Sequence, residues 1–443
     1  MLDRRGFLAR TGVALAVSAV PSPLLAAVRE RTPPPASLSD WRSVRAQFAL
    51  APGQLHFASF YLASHPRPVR EAIEAFRRTL DEEPFLVTEH RMFGEGEQNI
   101  QFSIRDELAP YLGAQRDEIA LTGNTTTGLA LVYAGLALQP GDEVLTTEHD
   151  HYSHHESIRF AAARSGASVR RVALYDRPAA ADAQEMAARL RRAISPATRV
   201  VGITWVHSST GVRLPVRALA DVVAEINRGR AEPDQVLLVL DGVHGLGAVD
   251  ESVATLGCDF FCAGTHKWMF APRGTGIVWA RAARWARLSP VIPTFASREV
   301  FERWMNGDSS PHTTTAYDLS PGGFHAYEHE WAMSAAFQFH ARIGRARVAA
   351  RIRALNDQCK HGLASMRNVT LHTPRDAALS AGLVAFEVAG VAPEAVVARL
   401  LERHVVASTA PYKLNYARLA PSLVNDEAEV EAALRAVREI AGA

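Results

Sequence analysis

From Arg67 to Ala280 the sequence alternates short apolar runs with stretches of helical periodicity, an order that few architectures accept. The runs fall at Glu118–Thr122, Glu143–Thr147, Val169–Leu174, Arg199–Trp205, Gln235–Leu240, Phe260–Ala263 and Gly276–Ala280. Several are apolar at consecutive positions. A strand with one wet face alternates in polarity, whereas a strand apolar throughout is covered on both faces, as in a parallel sheet flanked by crossover helices. Helical stretches at Val69–Thr79, Ser103–Tyr111, Thr127–Leu138 and Pro215–Asn227 fit the flanks and crossovers. The order predicts an α/β fold with a mostly parallel seven-stranded sheet, three αβα layers in a large domain over 65–330. Past Glu330, helical patterns at Trp331–Gly344 and Arg345–Arg367, a strand at Gly382–Val388 and a helix at Asp426–Ile440 predict a smaller α+β C-terminal domain over 331–443.

Composition narrows the partners. The net charge is +1 and no basic run is interleaved with aromatics, so nucleic acid is not an expected partner. No stretch after the leader has the length of a membrane span, so no membrane partner is expected. Cys258, Cys262 and Cys359 have neither disulfide-framework nor metal spacing, and the first two read as small core residues. Asp3-Arg4-Arg5-Gly6-Phe7-Leu8, followed by an apolar stretch at Val13–Val20, reads as a twin-arginine signal peptide over 1–30. That predicts export of a folded protein to the periplasm. Residues 31–64 read as a linker, Pro-rich at Thr32–Pro35, and an N-terminal segment.

Lysine is rare: the 48 basic residues include only Lys267, Lys360 and Lys413. Arginine can replace lysine in a surface charge but not as a nucleophilic amine. Lys360 and Lys413 read as remnants of a codon bias. Lys267 follows the buried run at Phe260, and burial there favours the neutral amine. In open α/β sheets, ligands sit beyond the carboxyl ends of the strands. At those ends stand Thr122-Gly-Asn-Thr-Thr-Thr-Gly128, opening a helix in the manner of an anion site; Asp241-Gly-Val-His244, with an aspartate closing an apolar run; and Thr265-His-Lys267. Anion site, carboxylate and amine match what pyridoxal phosphate needs at its phosphate, ring nitrogen and aldehyde.

These residues make the chain resemble the class V aminotransferase family, pyridoxal-phosphate enzymes of fold type I. Thr265-His-Lys-Trp-Met-Phe-Ala-Pro-Arg-Gly-Thr-Gly276 is similar to the corresponding segment of the isopenicillin N epimerase-like subgroup. The resemblance implies Lys267 as the lysine that condenses with the aldehyde and Asp241 as the partner of the pyridine nitrogen. It puts Val243 on one ring face, with His244 and Ser208 near the phenolic oxygen. His151 becomes the ring stacker, Thr125 and Thr126 hold the phosphate with help from Thr265 and His266, and Arg418 clamps the substrate carboxylate. A homodimer and an amino-acid-like substrate are implied as well. Two departures stand out. Pro321-Gly-Gly-Phe324 replaces the family's Gly-Thr that reaches the neighbouring subunit, and Arg403–Ser408 lacks the nucleophilic cysteine of desulfurases. Cysteine desulfurase is disfavoured because the persulfide has no acceptor, Cys359 lying in a helical pattern.

The resulting expectation is an enzyme acting at the α-carbon of an amino acid, a transaminase or an epimerase. A C–S or β-lyase, or a homologue kept as a silent binding partner, is the alternative. His149, His151, His154 and His155 could suggest zinc, but no carboxylate–histidine motif completes a site, and His154 and His155 read as solvated surface residues. Gly245-Leu-Gly247 lacks the third glycine of a dinucleotide fingerprint. Tyr61, His65, Phe93, His325 and Tyr327 are the pocket candidates.

Overall fold

The computed structural model describes residues 38–94 and 98–442; the signal peptide and the Pro-rich linker expected within 1–37 lie outside them. Ser39–Ala443 is one compact unit. Seven strands build its main sheet: β1 (Ile119–Thr122), β2 (Glu143–Thr147), β3 (Ser168–Val172), β4 (Thr198–Thr204), β5 (Leu237–Asp241), β6 (Phe260–Gly264) and β7 (Gly276–Ala280). They lie in the order β1-β7-β6-β5-β4-β2-β3, and every pairing is parallel except the two that β7 makes.

The continuous apolar runs are the reason for this sheet. β1, β2, β5, β6 and β7 are buried at every position, while Val169 and its arginine neighbours in β3 are partly open, as suits an edge. Helices are cut by local chemistry. Asn124 accepts the Thr127 N–H and starts Thr125–Gly135, and Gly166 at φ 76° ends Tyr152–Ser165 in the left-handed conformation that glycine tolerates. Leu129, Val132, Tyr133 and Ile158 pack with strand residues Val144, Val239 and Phe260 into one core.

A second, antiparallel sheet comes from later in the chain. It holds β8 (Val369–Leu371), β9 (Val384–Val388), β10 (Ser408–Thr409) and β11 (Ala417–Leu419) in the order β10-β11-β9-β8. The long helix Arg345–Ala364 and the last helix Glu427–Ala441 supply its core, in which Leu355, Cys359, Phe386 and Val430 are fully buried. The N-terminal segment is woven into this part: Leu55–His56 pairs in parallel with Val405–Val406. Ala420 N–H also bonds the Phe57 carbonyl at 2.9 Å. That clasp brings the loop after Phe57 to the end of β11.

Lys360 is not a remnant of codon bias. It is buried, and its ammonium meets the Arg375 carbonyl at 3.0 Å, Ser380 Oγ at 2.8 Å and Asp357 Oδ1 at 2.9 Å, so each of its three protons has an acceptor.

Candidate active site

Parallel pairing of β5 and β6, with Asp241 opposite Cys262, sends the two following loops out side by side. Lys267 stands three residues past β6. The Phe270 N–H bonds the Lys267 carbonyl at 3.1 Å, and Phe270 takes φ 53° to close the turn. Left-handed backbone at a bulky residue costs about 1–2 kcal/mol. Ring packing against Phe48 at 5.0 Å and His340 at 6.0 Å holds it there. Burial depresses the Lys267 ammonium, an effect that the Asp241 charge only partly offsets. His244 is also buried and is pushed well below the usual histidine range, so its ring is neutral. Trp268 Nε1–H donates to His244 Nδ1 at 3.2 Å, which leaves the ring proton on Nε2, facing Lys267 Nζ at 3.2 Å. An amine that accepts this proton is itself neutral, the form that attacks a carbonyl.

Asp241 is buried, and among the described residues its carboxylate accepts one hydrogen bond, from the Val243 N–H at 3.1 Å. Burial pushes its carboxyl upward. A carboxylate so poorly supplied with donors needs a cation. Val243 follows it, buried, at the same strand end.

At the start of the helix Thr125–Gly135, the first-turn N–H groups have no intrahelical acceptor. Thr125 Oγ1 accepts the Gly264 N–H at 2.7 Å, tying this helix to the end of β6 with its hydroxyl proton still to spend. Thr126 is exposed beside it. A Cβ on Gly264 would stand 2.7 Å from His266 Cε1 and 3.0 Å from Thr125 Oγ1, so the bare glycine lets that imidazole close on the helix end. His266 Nδ1 is buried and has no partner. Two threonines, a helix N-terminus and an unpaired imidazole nitrogen converge as an anion cradle.

Thr265 does not join them. Its buried hydroxyl lies 2.6 Å from Thr275 Oγ1, which spends its own proton on the Pro272 carbonyl at 2.5 Å. Thr265 is therefore the donor of that pair, and no proton remains for a phosphate. The residue holds the turn after Lys267 instead.

Arg418, on β11 and buried, lies within electrostatic reach of the amine. Nη1 donates to the Ser208 carbonyl at 2.6 Å, Nη2 donates to the Thr409 carbonyl at 2.5 Å, and Nε is buried without a partner. The guanidinium carbon lies 4.9 Å above the Phe60 ring. No carboxylate pairs with it among the described residues, and burial lowers its pKa to about 10. Ser208 Oγ is 2.5 Å from Tyr412 Oη, and the Tyr412 ring meets His151 edge-on at 6.1 Å. His151 caps the helix Tyr152–Ser165 by accepting the Ser153 N–H on Nδ1 at 3.2 Å. Burial, with Lys267 and Arg418 nearby, lowers its pKa to about 4, so it offers a neutral ring face.

Other expected residues stand elsewhere. Of the pocket candidates, Tyr61 lies within electrostatic reach of Arg418. His325 bonds Glu330 at 3.1 Å, Tyr327 bonds the Gly323 carbonyl at 2.9 Å and packs on Trp331, and Phe93 is exposed. His65 is buried, with Arg273, Arg70 and His329 near it. His154 is no surface residue: it is fully buried and bonded to Tyr133 Oη at 2.7 Å, and His155 is half-buried and donates from Nε2 to the Thr147 carbonyl at 2.8 Å. Among the described residues no three His, Cys, Asp or Glu side chains are grouped to hold a metal. Phe60 and Tyr412 are the site residues that sequence reasoning missed. Tyr412 lies six positions before Arg418, just beyond the 403–408 loop searched for a nucleophile.

The family described as aminotransferase class-V matches residues 64–410. The isopenicillin N epimerase of Streptomyces clavuligerus is 27% identical over 360 residues, 79% of this chain and 85% of that protein. A probable cysteine desulfurase of Vibrio cholerae is 24% identical over 273 residues, 60% of this chain and 62% of its own. A solved structure of a C-DES mutant with glycine covalently linked to the PLP cofactor superposes with TM-score 0.78. It is 24% identical, covering 88% of this chain and 98% of its own, a likeness in fold.

Proposed function

The chain belongs to the class V aminotransferase family of pyridoxal-phosphate-dependent enzymes, and on that premise we propose that it breaks the α-hydrogen bond of an amino acid. Bound pyridoxal phosphate supplies an electrophilic aldehyde and a protonated ring that takes up the electron pair of the broken bond. The residues fit that group at both ends: His266 Nδ1 lacks a partner where a phosphate belongs, and Asp241 lacks donors where a ring cation belongs. Thr125, Thr126 and His266 would hold the phosphate, Asp241 the ring nitrogen, His151 and Val243 the two faces, and Ser208 and His244 the phenolic edge.

Lys267, its ammonium pKa lowered to about 8 by burial, is placed to meet the aldehyde and then to carry the α-proton. His244 Nε2–H orients the amine lone pair, and Trp268 fixes the tautomer that does so.

The observation that carries the reading is Arg418. A buried guanidinium that reaches two carbonyls and an aromatic face, with Nε unspent and no acid beside it, needs an external anion. An α-carboxylate held there, with Lys267 across the site, puts the α-carbon between anchor and base. Epimerisation or transamination is the outcome we favour. The β-lyase reading shares this first step, and the desulfurase relatives favour it. A desulfurase proper would need a thiol, but Cys359 is buried in the second core, its pKa raised to about 12. An amino-acid panel with and without an α-keto acid, scored for D-amino acid, keto acid and released sulfide, tests the choice. D-amino acid or keto acid is expected, and sulfide alone would overturn it.

We also propose a homodimer exported to the periplasm. Exposed Phe295, Phe301, Trp304 and Phe324 support the dimer, and the Arg4-Arg5-Gly6-Phe7-Leu8 pattern supports export. Sedimentation of the purified protein, and fractionation of cells expressing an Arg4→Lys, Arg5→Lys variant, test the two points.

A further inference from the structure

Tyr412 touches two residues of the site yet has no part in the chemistry above. Its hydroxyl is 2.5 Å from Ser208 Oγ, its ring meets the edge of His151, and Ser208 in turn carries Arg418 on its carbonyl. Lys267 is bonded to His244, which follows Val243 in the sequence. A ring lying between His151 and Val243 would therefore have the amine on the Val243 side and the phenol on the His151 side.

Resting on the α-carbon reading, we propose that Tyr412 is the proton donor on the face opposite Lys267, so that the enzyme inverts its amino acid. The Lys267 amine takes the α-hydrogen as a proton and becomes an ammonium, and the electron pair of the broken bond remains with the substrate. The Tyr412 O–H bond then breaks as a new C–H bond forms at the α-carbon on the other face, leaving a phenolate. Ser208 O–H donates to that phenolate and the Arg418 charge steadies it. The ammonium releases its proton to water, water returns one to the half-buried phenolate, and no oxidant or reductant is consumed.

The resting protonation states suit this direction. Burial holds the Tyr412 phenol protonated, with its pKa raised to about 12, while the same effect lowers the Lys267 ammonium to about 8 and makes its proton easier to lose. The Ser208 hydrogen bond and the Arg418 charge work against burial at Tyr412, and both favour the phenolate that must follow the transfer.

The test follows the holoenzyme in deuterium oxide with the standard L-amino acids, one at a time. Deuterated D-product and deuterium in the recovered L-substrate are measured together. In Tyr412→Phe the ratio of D-product to exchanged L-substrate should fall about 100-fold, and in Ser208→Ala by less. Tyrosine labelled with 13C at Cζ gives an independent signal: the resonance missing from Tyr412→Phe should shift in Ser208→Ala, and the rest of the spectrum should stay in place. An unchanged ratio in Tyr412→Phe overturns the proposal. So does a Tyr412 resonance blind to Ser208→Ala, or a wild type that exchanges the α-hydrogen and never forms a D-product. A wild type that exchanges none with any amino acid sinks the α-carbon reading itself.

Discussion

Three pairs of buried charges divide this molecule into a scaffold and a site. Lys360, Asp150 and Arg105 belong to the scaffold; Lys267, Asp241 and Arg418 belong to the site. Asp150 accepts from Thr146 Oγ1 and the Thr147 N–H, each at 2.7 Å, and from the Thr204 N–H at 2.8 Å. Burial pushes its carboxyl up, but His207, His154 and the Thr146 hydroxyl hold it well below the usual range. Asp241, closing a strand beside Thr204, has one donor and is pushed up. Arg105 spends Nε, Nη1 and Nη2 on Ile119, Gln101 and Ser320 and lies over Tyr317, whereas Arg418 keeps Nε unspent. Burying a charge is costly unless partners satisfy it. Where the chain supplies all partners the charge serves the fold, and where it withholds them a ligand is expected to complete the set.

Exchanging roles within each pair breaks or sharpens this contrast, and the lysines give the largest effect. Lys267→Ala should lower turnover by about 10⁴-fold and abolish the pyridoxyl adduct that mass spectrometry finds after borohydride treatment. Lys360→Ala should leave turnover per folded molecule near wild type and cost about 1–3 kcal/mol in denaturant unfolding, because Ser380 and the Arg375 carbonyl lose their buried donor. Wild-type-like turnover in Lys267→Ala would end the functional assignment.

The arginines come next. Arg418→Ala should raise the amino-acid KM by about 10–100-fold, the worth of one charge-assisted hydrogen-bond set, with kcat less affected. Arg105→Met should leave KM alone and lower the melting temperature, since the buried Ile119 carbonyl and Ser320 Oγ and the part-buried Gln101 carbonyl each lose a donor. An unchanged KM in Arg418→Ala removes that residue from substrate binding.

What could be read from the sequence tracks the range of the forces involved. β2 and β7 match their apolar runs to the residue because a strand buried on both faces writes itself in consecutive letters. Asp241 and Lys267 were legible as polar residues closing such runs. β10 and β11 span two and three residues, too few to express a period, and they exist because β9 offers an edge. Arg418 was reached through the family pattern alone. Tyr412 meets Ser208 across 204 positions of sequence, and Phe60 comes under Arg418 only because the Phe57 carbonyl is clasped by Ala420. Lys360 misled for the same reason: its acceptors Arg375 and Ser380 lie on a loop 15 and 20 residues on.

The aspartates separate by pH. Asp241 has a raised folded-state pKa, so its ionisation is penalised in the fold. It favours folding below the ordinary carboxylate value of about 4 and takes that stability away as pH rises through the raised value. Asp150 has a depressed pKa and works the other way: its stability is present above about 4 and is lost as acid protonates it. Asp241→Asn should therefore stabilise the cofactor-free protein at neutral pH and flatten that fall, while weakening retention of the cofactor. Asp150→Asn should destabilise it by about 1–3 kcal/mol at neutral pH, because an amide presents N–H groups to donors. Unfolding curves of the cofactor-free variants across pH 4 to 8 check both signs, and the same sign for both would dissolve the distinction.

The smallest effect concerns a residue placed in the site by resemblance and in the scaffold by geometry. If Thr265 spends its only proton on Thr275, Thr265→Val removes one neutral hydrogen bond from the turn after Lys267 and nothing from the phosphate cradle. Stability should drop by about 1 kcal/mol while cofactor affinity in equilibrium dialysis stays within about twofold of wild type. Thr126→Ala makes the opposite cut, since its hydroxyl is exposed at the helix end and has no scaffold partner among the described residues: affinity should fall several-fold with no change in unfolding. A Thr265→Val protein that loses cofactor as Thr126→Ala does would return Thr265 to the cradle, and would mean that Thr275 gives up its bond to Pro272 when the phosphate arrives.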